Sequence, residues 1–131
     1  MKTSRLFLLS LACLALAVLS GCGKGPKVVP VAGKVVHNGK GVCPGSVQFQ
    51  PVEGGGGQLA SGLLQEDGSF TLRTLHDQRP LEGAVPGKYK VTLSLGGGTT
   101  RALAKYTQLN TTTVEVEVPP AGKKDLLIDL K

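Results

Sequence analysis

Cysteine and aromatic residues are scarce in this chain. Its 131 residues include three cysteines, two tyrosines and three phenylalanines, and tryptophan is absent. Cys13 and Cys22 belong to the N-terminal segment, so Cys43 is the only cysteine left for a folded domain, and an internal disulfide is excluded there. Such a domain depends on the packing of valine and leucine for its stability.

Long runs of like charge are also missing. The formal net charge is +6 at pH 7, and the lysines and arginines occur singly or in pairs along the chain. A basic tail of the kind that binds nucleic acid is therefore not indicated, and we expect no nucleic-acid partner. We expect a solvated, mildly cationic surface, with attraction to acidic polysaccharide or lipid headgroups as the alternative.

The N-terminal segment has the pattern of a secretory leader. Met1–Arg5 is short and positive, and Leu6–Leu19 is an apolar run of fourteen residues, fewer than the roughly 20 that span a bilayer as a helix. The run ends in Leu19–Cys22, Leu-Ser-Gly-Cys, which resembles the lipobox of bacterial lipoprotein precursors. The resemblance implies cleavage between Gly21 and Cys22 and acylation of Cys22.

This motif predicts where the protein is located. We expect residues 1–21 to be a lipoprotein signal peptide, residues 22–27 to be the lipidated cysteine and a polar tether, and residues 28–131 to be one domain. The membrane is then a partner through the lipid, at the cell envelope. Gly23 follows the cysteine in place of aspartate, which favours the outer membrane. The alternatives are an ordinary cleaved signal with an incidental cysteine, or an uncleaved anchor.

The rest of the chain predicts an all-β fold. Short alternating segments are separated by glycine, proline and Asn-Gly, which is typical of a sandwich or barrel. We expect a seven-stranded antiparallel Greek-key sandwich. The seven predicted strands are 31–36, 46–50, 61–65, 69–74, 88–95, 112–118 and 124–130. Residues 75–86 and 99–110 have no hydrophobic periodicity and are predicted to be long connections. The glycines at 54–57 are predicted to form a mobile loop.

Alternation within these segments predicts which side chains face the core. The outward set on the clearest strand is Lys88, Lys90, Thr92 and Ser94. The inward residues are Val47, Phe49, Phe70, Leu72, Tyr89, Val91, Leu93, Leu95, Val114, Val116, Val118, Leu126, Ile128 and Leu130.

The order and spacing of the strand and turn motifs resemble small bacterial lipoproteins of the carboxypeptidase regulatory-like, or transthyretin-like, family. The resemblance covers residues 28–130 and implies a prealbumin-like sandwich that serves as an accessory module without catalytic residues. Leu64-Gln65 stands where related sequences often carry Thr-Asp. The motifs are Val31–Val35, Asn38–Lys40, Val47–Pro51, Asp67–Leu72, Gly83–Leu93, Ala104–Tyr106 and Thr113–Val116.

Residues for catalysis or metal binding do not form a pattern. His37, His76 and Cys43 match no ligand spacing, so we interpret both histidines as solvated loop residues and predict no metal or cofactor. No Gly-x-Ser-x-Gly elbow is present, and the converging histidines and arginines of a transthyretin-like hydrolase are lacking. We therefore predict no catalytic residues and no enzymatic activity, with such a hydrolase as the least favoured alternative.

Two further residue sets are candidates for binding or covalent chemistry. Tyr106 is the one aromatic side chain predicted to lie in a loop, where we expect it to plug the end of the sandwich; the less favoured alternative is a ligand contact, as a platform for a sugar ring. Lys34 and Asp129, on the first and last strands, both alternate to the polar face, so we expect ordinary exposure; a crosslink between them is the less favoured alternative.

These observations together predict a non-catalytic, lipid-anchored β-sandwich that acts as a structural or protein-binding module at the cell envelope. The alternative is a module that binds carbohydrate or another envelope polymer.

Overall fold

The computed structural model describes residues 26–97 and 100–131. The predicted signal peptide, its cleavage site at Gly21 and the lipidation site at Cys22 lie outside the described residues. Within the described ranges, no helix is both long enough and apolar enough to cross a membrane.

Ten strands form two sheets in the part of the chain that the structure describes. One sheet has the order β10-β1-β2, with β5 also paired to β1, and the other has the order β7-β6-β4-β3-β8-β9. The strands are β1 (Val31–His37), β2 (Lys40–Gly41), β3 (Gly45–Pro51), β4 (Ala60–Leu64), β5 (Ser69–Thr71), β6 (Arg73–His76), β7 (Arg79–Glu82), β8 (Gly87–Leu95), β9 (Glu115–Val118) and β10 (Lys123–Leu130). A 3₁₀ helix (Ala104–Tyr106) follows β8.

All seven predicted segments contain strands, but seven was too few. The predicted segment 69–74 is divided into β5 and β6 around Leu72, and β2 completes the turn at Asn38-Gly39. The connection predicted over 75–86 instead contains the end of β6 and all of β7. Asp77 and Gln78 adopt positive φ at that turn, which two ordinary side chains gave no reason to expect.

The prediction of a wholly antiparallel fold was wrong at one strand pair. The strands β1 and β10 run parallel, with Val35 opposite Ile128 and His37 opposite Leu130, and the register shifts between Val31 and Gly33. Alternation determines which face a side chain occupies but not the direction of the neighbouring strand. The other strand pairs in the described residues are antiparallel.

The core lies between the two sheets and contains the side chains expected from alternation. Val47, Phe49 and Tyr89 are fully buried, and the Phe49 ring of β3 lies 6.0 Å from the Phe70 ring of the opposite sheet. Leu95, Val114 and Val116 are partly buried against this cluster. Thr92 differs from prediction, since it was expected in solvent and is buried.

The glycine-rich segment 54–57 is attached to the sandwich at two points. Gly55 accepts a hydrogen bond from the Lys88 amide and donates one to the Val52 carbonyl. Gly57 packs so closely on the Tyr89 ring that a Cβ there would approach the ring carbon Cζ to 2.5 Å. The segment was predicted as a mobile loop, and in the structure its glycines allow contact with a buried tyrosine.

The chain segment around β4, β5 and β6 joins the two sheets. Residues 60–65 pair with the chain returning at 69–74, while β5 also pairs with β1 through Ala32 opposite Thr71. Strands β10, β1 and β5 of one sheet are thereby connected to β4 and β3 of the other, and β4 also pairs with the β6–β7 hairpin.

Candidate functional site

The outer side of these connected strands contains a groove of about 1110 Å³, which we call the leucine groove. Its lining residues come from β10, β1, β5, β4, β3 and β6, together with Pro80 of β7 and with Leu59 and Gln65, which flank β4. A concavity of this size lies slightly above the usual range of small-molecule pockets, about 300–1,000 Å³.

Four exposed leucines give the groove its apolar character. Leu59, Leu63, Leu75 and Leu127 are 52%, 73%, 68% and 62% exposed, and all four line the groove. Among the described residues only one other large hydrophobic side chain, Leu109, is exposed, and it lies elsewhere. Single exposed leucines are ordinary, but four around one concavity indicate a surface that contacts something apolar.

Each exposed leucine on a strand is an apolar side chain at an outward position, where alternation predicts a polar one. Leu63 lies between buried Gly62 and buried Leu64, and Leu127 lies between buried Leu126 and buried Ile128. Sequence reasoning missed these residues because it followed only the inward positions. A leucine at an outward position was the available signal, although it could not show that strands distant in sequence share one groove.

The floor of the groove is formed by buried residues that hold the strands together. The Thr74 hydroxyl donates a hydrogen bond of 2.9 Å to the Gly83 carbonyl, and Phe70 is 3% exposed. Gly62 lies so close to the Thr71 carbonyl that a Cβ at this position would lie 2.6 Å from its oxygen. The shape of the groove is therefore determined by strand pairing and close backbone packing.

Three cations and one anion line the groove: Lys34, Arg73, Lys124 and Asp125. Lys34 Nζ lies 3.8 Å from Asp67 Oδ2, and an Arg73 nitrogen lies 3.9 Å from Glu82 Oε1. Both pairs are exposed, so each contributes little to stability and can exchange its partner readily.

The turn beside the groove fixes the Asp67 carboxylate. Asp67 Oδ1 accepts hydrogen bonds from the Ser69 hydroxyl at 2.6 Å and from the Ser69 amide at 3.0 Å. These hydrogen bonds, followed by the weaker attraction of Lys34, lower the pKa of the carboxyl below its ordinary value of 3.8. The carboxylate is thus hydrogen-bonded within its own turn.

Tyr106 does not have the exposure that the sugar-platform prediction requires. Its ring is 3% exposed, and Lys105 Nζ lies 4.9 Å from the ring centroid. The hydroxyl donates to the Lys131 carbonyl at 2.9 Å and accepts from the Lys131 amide at 3.2 Å. The ring therefore has no exposed face on which a sugar could stack, and its hydroxyl is held at the residue that follows β10. Leu103, which sequence reasoning missed, is buried beside it.

The two histidines were predicted in loops, but His37 ends β1 and His76 ends β6. Neither of them lines the groove, and neither does Cys43. His76 Nε2 lies 3.2 Å from Asp77 Oδ2, and exposed Cys43 donates a weak hydrogen bond to the Glu66 carbonyl. Within residues 26–97 and 100–131, no three or more His, Cys, Asp or Glu side chains converge as metal ligands.

The pair named for a crosslink is not aligned across β1 and β10. Lys34 lies opposite Leu127 in the register, and Asp129 lies opposite Val36. The Lys34 amine is directed to Asp67.

Comparison with known protein families, with curated proteins and with solved structures finds no match for this chain.

Proposed function

We propose that this protein is a non-catalytic, lipid-anchored β-sandwich that acts as a binding module at the cell envelope, on the outer membrane where the cell has one. The leucine groove carries the binding part of this proposal, because an open concavity with four exposed leucines is poorly suited to remain in contact with water. The lipobox-like Leu19–Cys22 motif carries the anchoring part.

The chemistry of the groove supports binding over catalysis. Its titratable side chains are three cations and Asp125, and neither histidine is among its lining residues. Its hydroxyl groups, such as those of Ser61 and Thr71, therefore have no imidazole beside them to act as a general base. We infer that the surface recognises a partner without changing it chemically.

We further infer that the sandwich is of the carboxypeptidase regulatory-like, prealbumin-like type. The support is the order of its motifs and the position of each predicted strand in one of two facing sheets. In this interpretation β6–β7 is an added hairpin, and the regulatory-like domain is an accessory module.

An envelope polysaccharide is a second candidate partner. The observation that favours it is the set of amide and hydroxyl side chains in the groove, including Gln48, Gln65 and Ser46. The buried ring of Tyr106 removes the aromatic platform on which this candidate first depended.

Solvent access to the groove in its native setting tests the proposal. Cysteine is introduced by Leu127→Cys or, as a matched control, by Leu109→Cys, each in a Cys43→Ser background. We expect a hydrophilic maleimide to react with position 109 in cell membranes and in detergent extracts, but with position 127 only after extraction. Equal reaction of both positions in membranes would show that nothing covers the groove.

A further inference from the structure

The leucine groove lies on the side of the domain where the chain arrives from the predicted anchor. The Pro30 carbonyl accepts a hydrogen bond from Lys123 at the start of β10, and Ala32, two residues later, already lines the groove. Ten residue steps separate Cys22 from Ala32, and this length of chain extends at most about 35 Å. A lipid on Cys22 would therefore hold this side of the domain near the membrane.

The charges at the groove complement an anionic lipid surface. Lys34, Arg73 and Lys124 line it against the single Asp125. The first two have only exposed, long ion pairs at 3.8 and 3.9 Å. Those pairs are weak enough that lipid phosphates can replace the carboxylates as partners.

The arrangement of the leucines also fits a broad apolar boundary. Leu127 is on β10, Leu63 is on β4 and Leu75 is on β6, so the exposed side chains are spread over three strands. Leucines combined with lysine and arginine are the composition that holds a surface at the boundary between headgroups and acyl chains.

We propose that the leucine groove is the face by which the domain lies on the membrane, with its leucines at the acyl boundary and its lysines and arginine beside anionic headgroups. The inference rests on the proposed anchor and names the partner of the same groove. The lipid then attaches the protein, and the groove determines the orientation of the domain.

Fluorescence of the lipidated protein in protein-free vesicles tests this inference. An environment-sensitive fluorophore is attached at Leu63→Cys or at the matched control Leu109→Cys, both with Cys43→Ser. On vesicles containing phosphatidylglycerol, we expect blue-shifted emission and loss of iodide quenching at position 63, with position 109 fully quenched. Protection at position 63 should weaken at high salt, because screening reduces attraction between exposed charges.

A second set of variants tests whether the leucines cause the protection. With the fluorophore at Leu75→Cys, the changes Leu63→Thr and Leu127→Thr should restore iodide quenching. Leu109→Thr should leave the protection unchanged. Threonine suits an outward strand position, so these changes are expected to preserve the fold.

The outcomes separate the inference from the proposed function. Equal quenching at positions 63 and 109 on anionic vesicles would overturn membrane docking. Protection of the groove in cell membranes but not in vesicles would identify a protein or polymer as the occupant and overturn the inference alone. An intact mass without an acyl group on Cys22 would overturn the anchor on which both depend.

Discussion

Tyr89→Phe is expected to destabilise the domain although it removes only one oxygen atom. The Tyr89 ring is fully buried and lies 5.8 Å from the Phe49 ring. Its hydroxyl donates to the Val85 carbonyl and accepts from the Gln58 amide at 3.2 Å. Phenylalanine preserves the ring contacts but leaves both backbone groups without this partner.

The expected loss is about 1–2 kcal/mol, because each hydrogen bond contributes about 1 kcal/mol and water can reach the partly buried backbone groups after the substitution. Thermal unfolding should shift by about 4–8 °C for each kcal/mol in a domain of this size. Urea denaturation of wild type and Tyr89→Phe measures the difference, and the slope of the transition should stay the same.

The pH dependence of stability provides a second comparison between the wild type and Tyr89→Phe. Burial raises the pKa of Tyr89 above its ordinary value of 10.0, and the hydrogen bond from Gln58 opposes this shift only in part. The unfolded state therefore loses the phenolic proton first as the pH rises above 10, so the wild type loses stability there. Tyr89→Phe should lose less stability over that range.

Tyr106→Phe is the control, because it removes a hydroxyl bonded to Lys131 at the end of the chain and leaves Tyr89 in place. This variant should retain the loss of stability above pH 10 that Tyr89 causes. Equal stability of Tyr89→Phe and wild type, with the same pH profile, would refute the hydrogen-bond geometry assigned to Tyr89.

Three further predictions concern the strands and turns near the groove. Leu64 is 8% exposed, so Leu64→Ala should reduce the free energy of unfolding by about 2–5 kcal/mol in urea denaturation. Leu63→Ala should change it by about 0.5 kcal/mol or less. Similar effects of the two substitutions would contradict the assigned faces of β4. Gly39→Ala should cost about 1–2 kcal/mol, because its φ of 76° is left-handed but its surroundings are open. Gly68→Ala should cost clearly more, since a Cβ there would also overlap the β1 backbone; equal losses would exclude that close approach. In a carboxyl NMR titration, Asp67 should have a midpoint below 3.8, and its contribution to stability should disappear as the pH falls below that value; a midpoint at or above 3.8 would contradict its hydrogen bonds.

Alternation in the sequence predicted seven strand segments and most of the core side chains that they carry, but not β2 or β7. Phe49, Leu72 and Ile128 are buried because a two-residue period on a half-buried strand leaves an apolar side chain only one favourable face. The parallel pairing of β1 with β10 was not predictable in this way, because pairing direction depends on chain connections across the whole domain.

The groove was harder to predict from the sequence than the core. Leu63 and Leu127 are distant in sequence, and their proximity depends on β5 pairing with β1 while β4 pairs with β3. The position of Tyr106 in a connection did not determine its exposure, because a tyrosine there can cover the core with its ring and bind the backbone with its hydroxyl.

The most direct test of the lipid-anchored account is the intact mass and detergent partitioning of the protein from its producing cell, compared with Cys22→Ser. We expect the wild type to begin at Cys22, to carry the added mass of a diacylglyceryl group and to enter the detergent phase, while Cys22→Ser has no such addition and does not form the mature lipidated species. A wild-type protein with an unmodified Cys22 that remains in the aqueous phase would contradict the account.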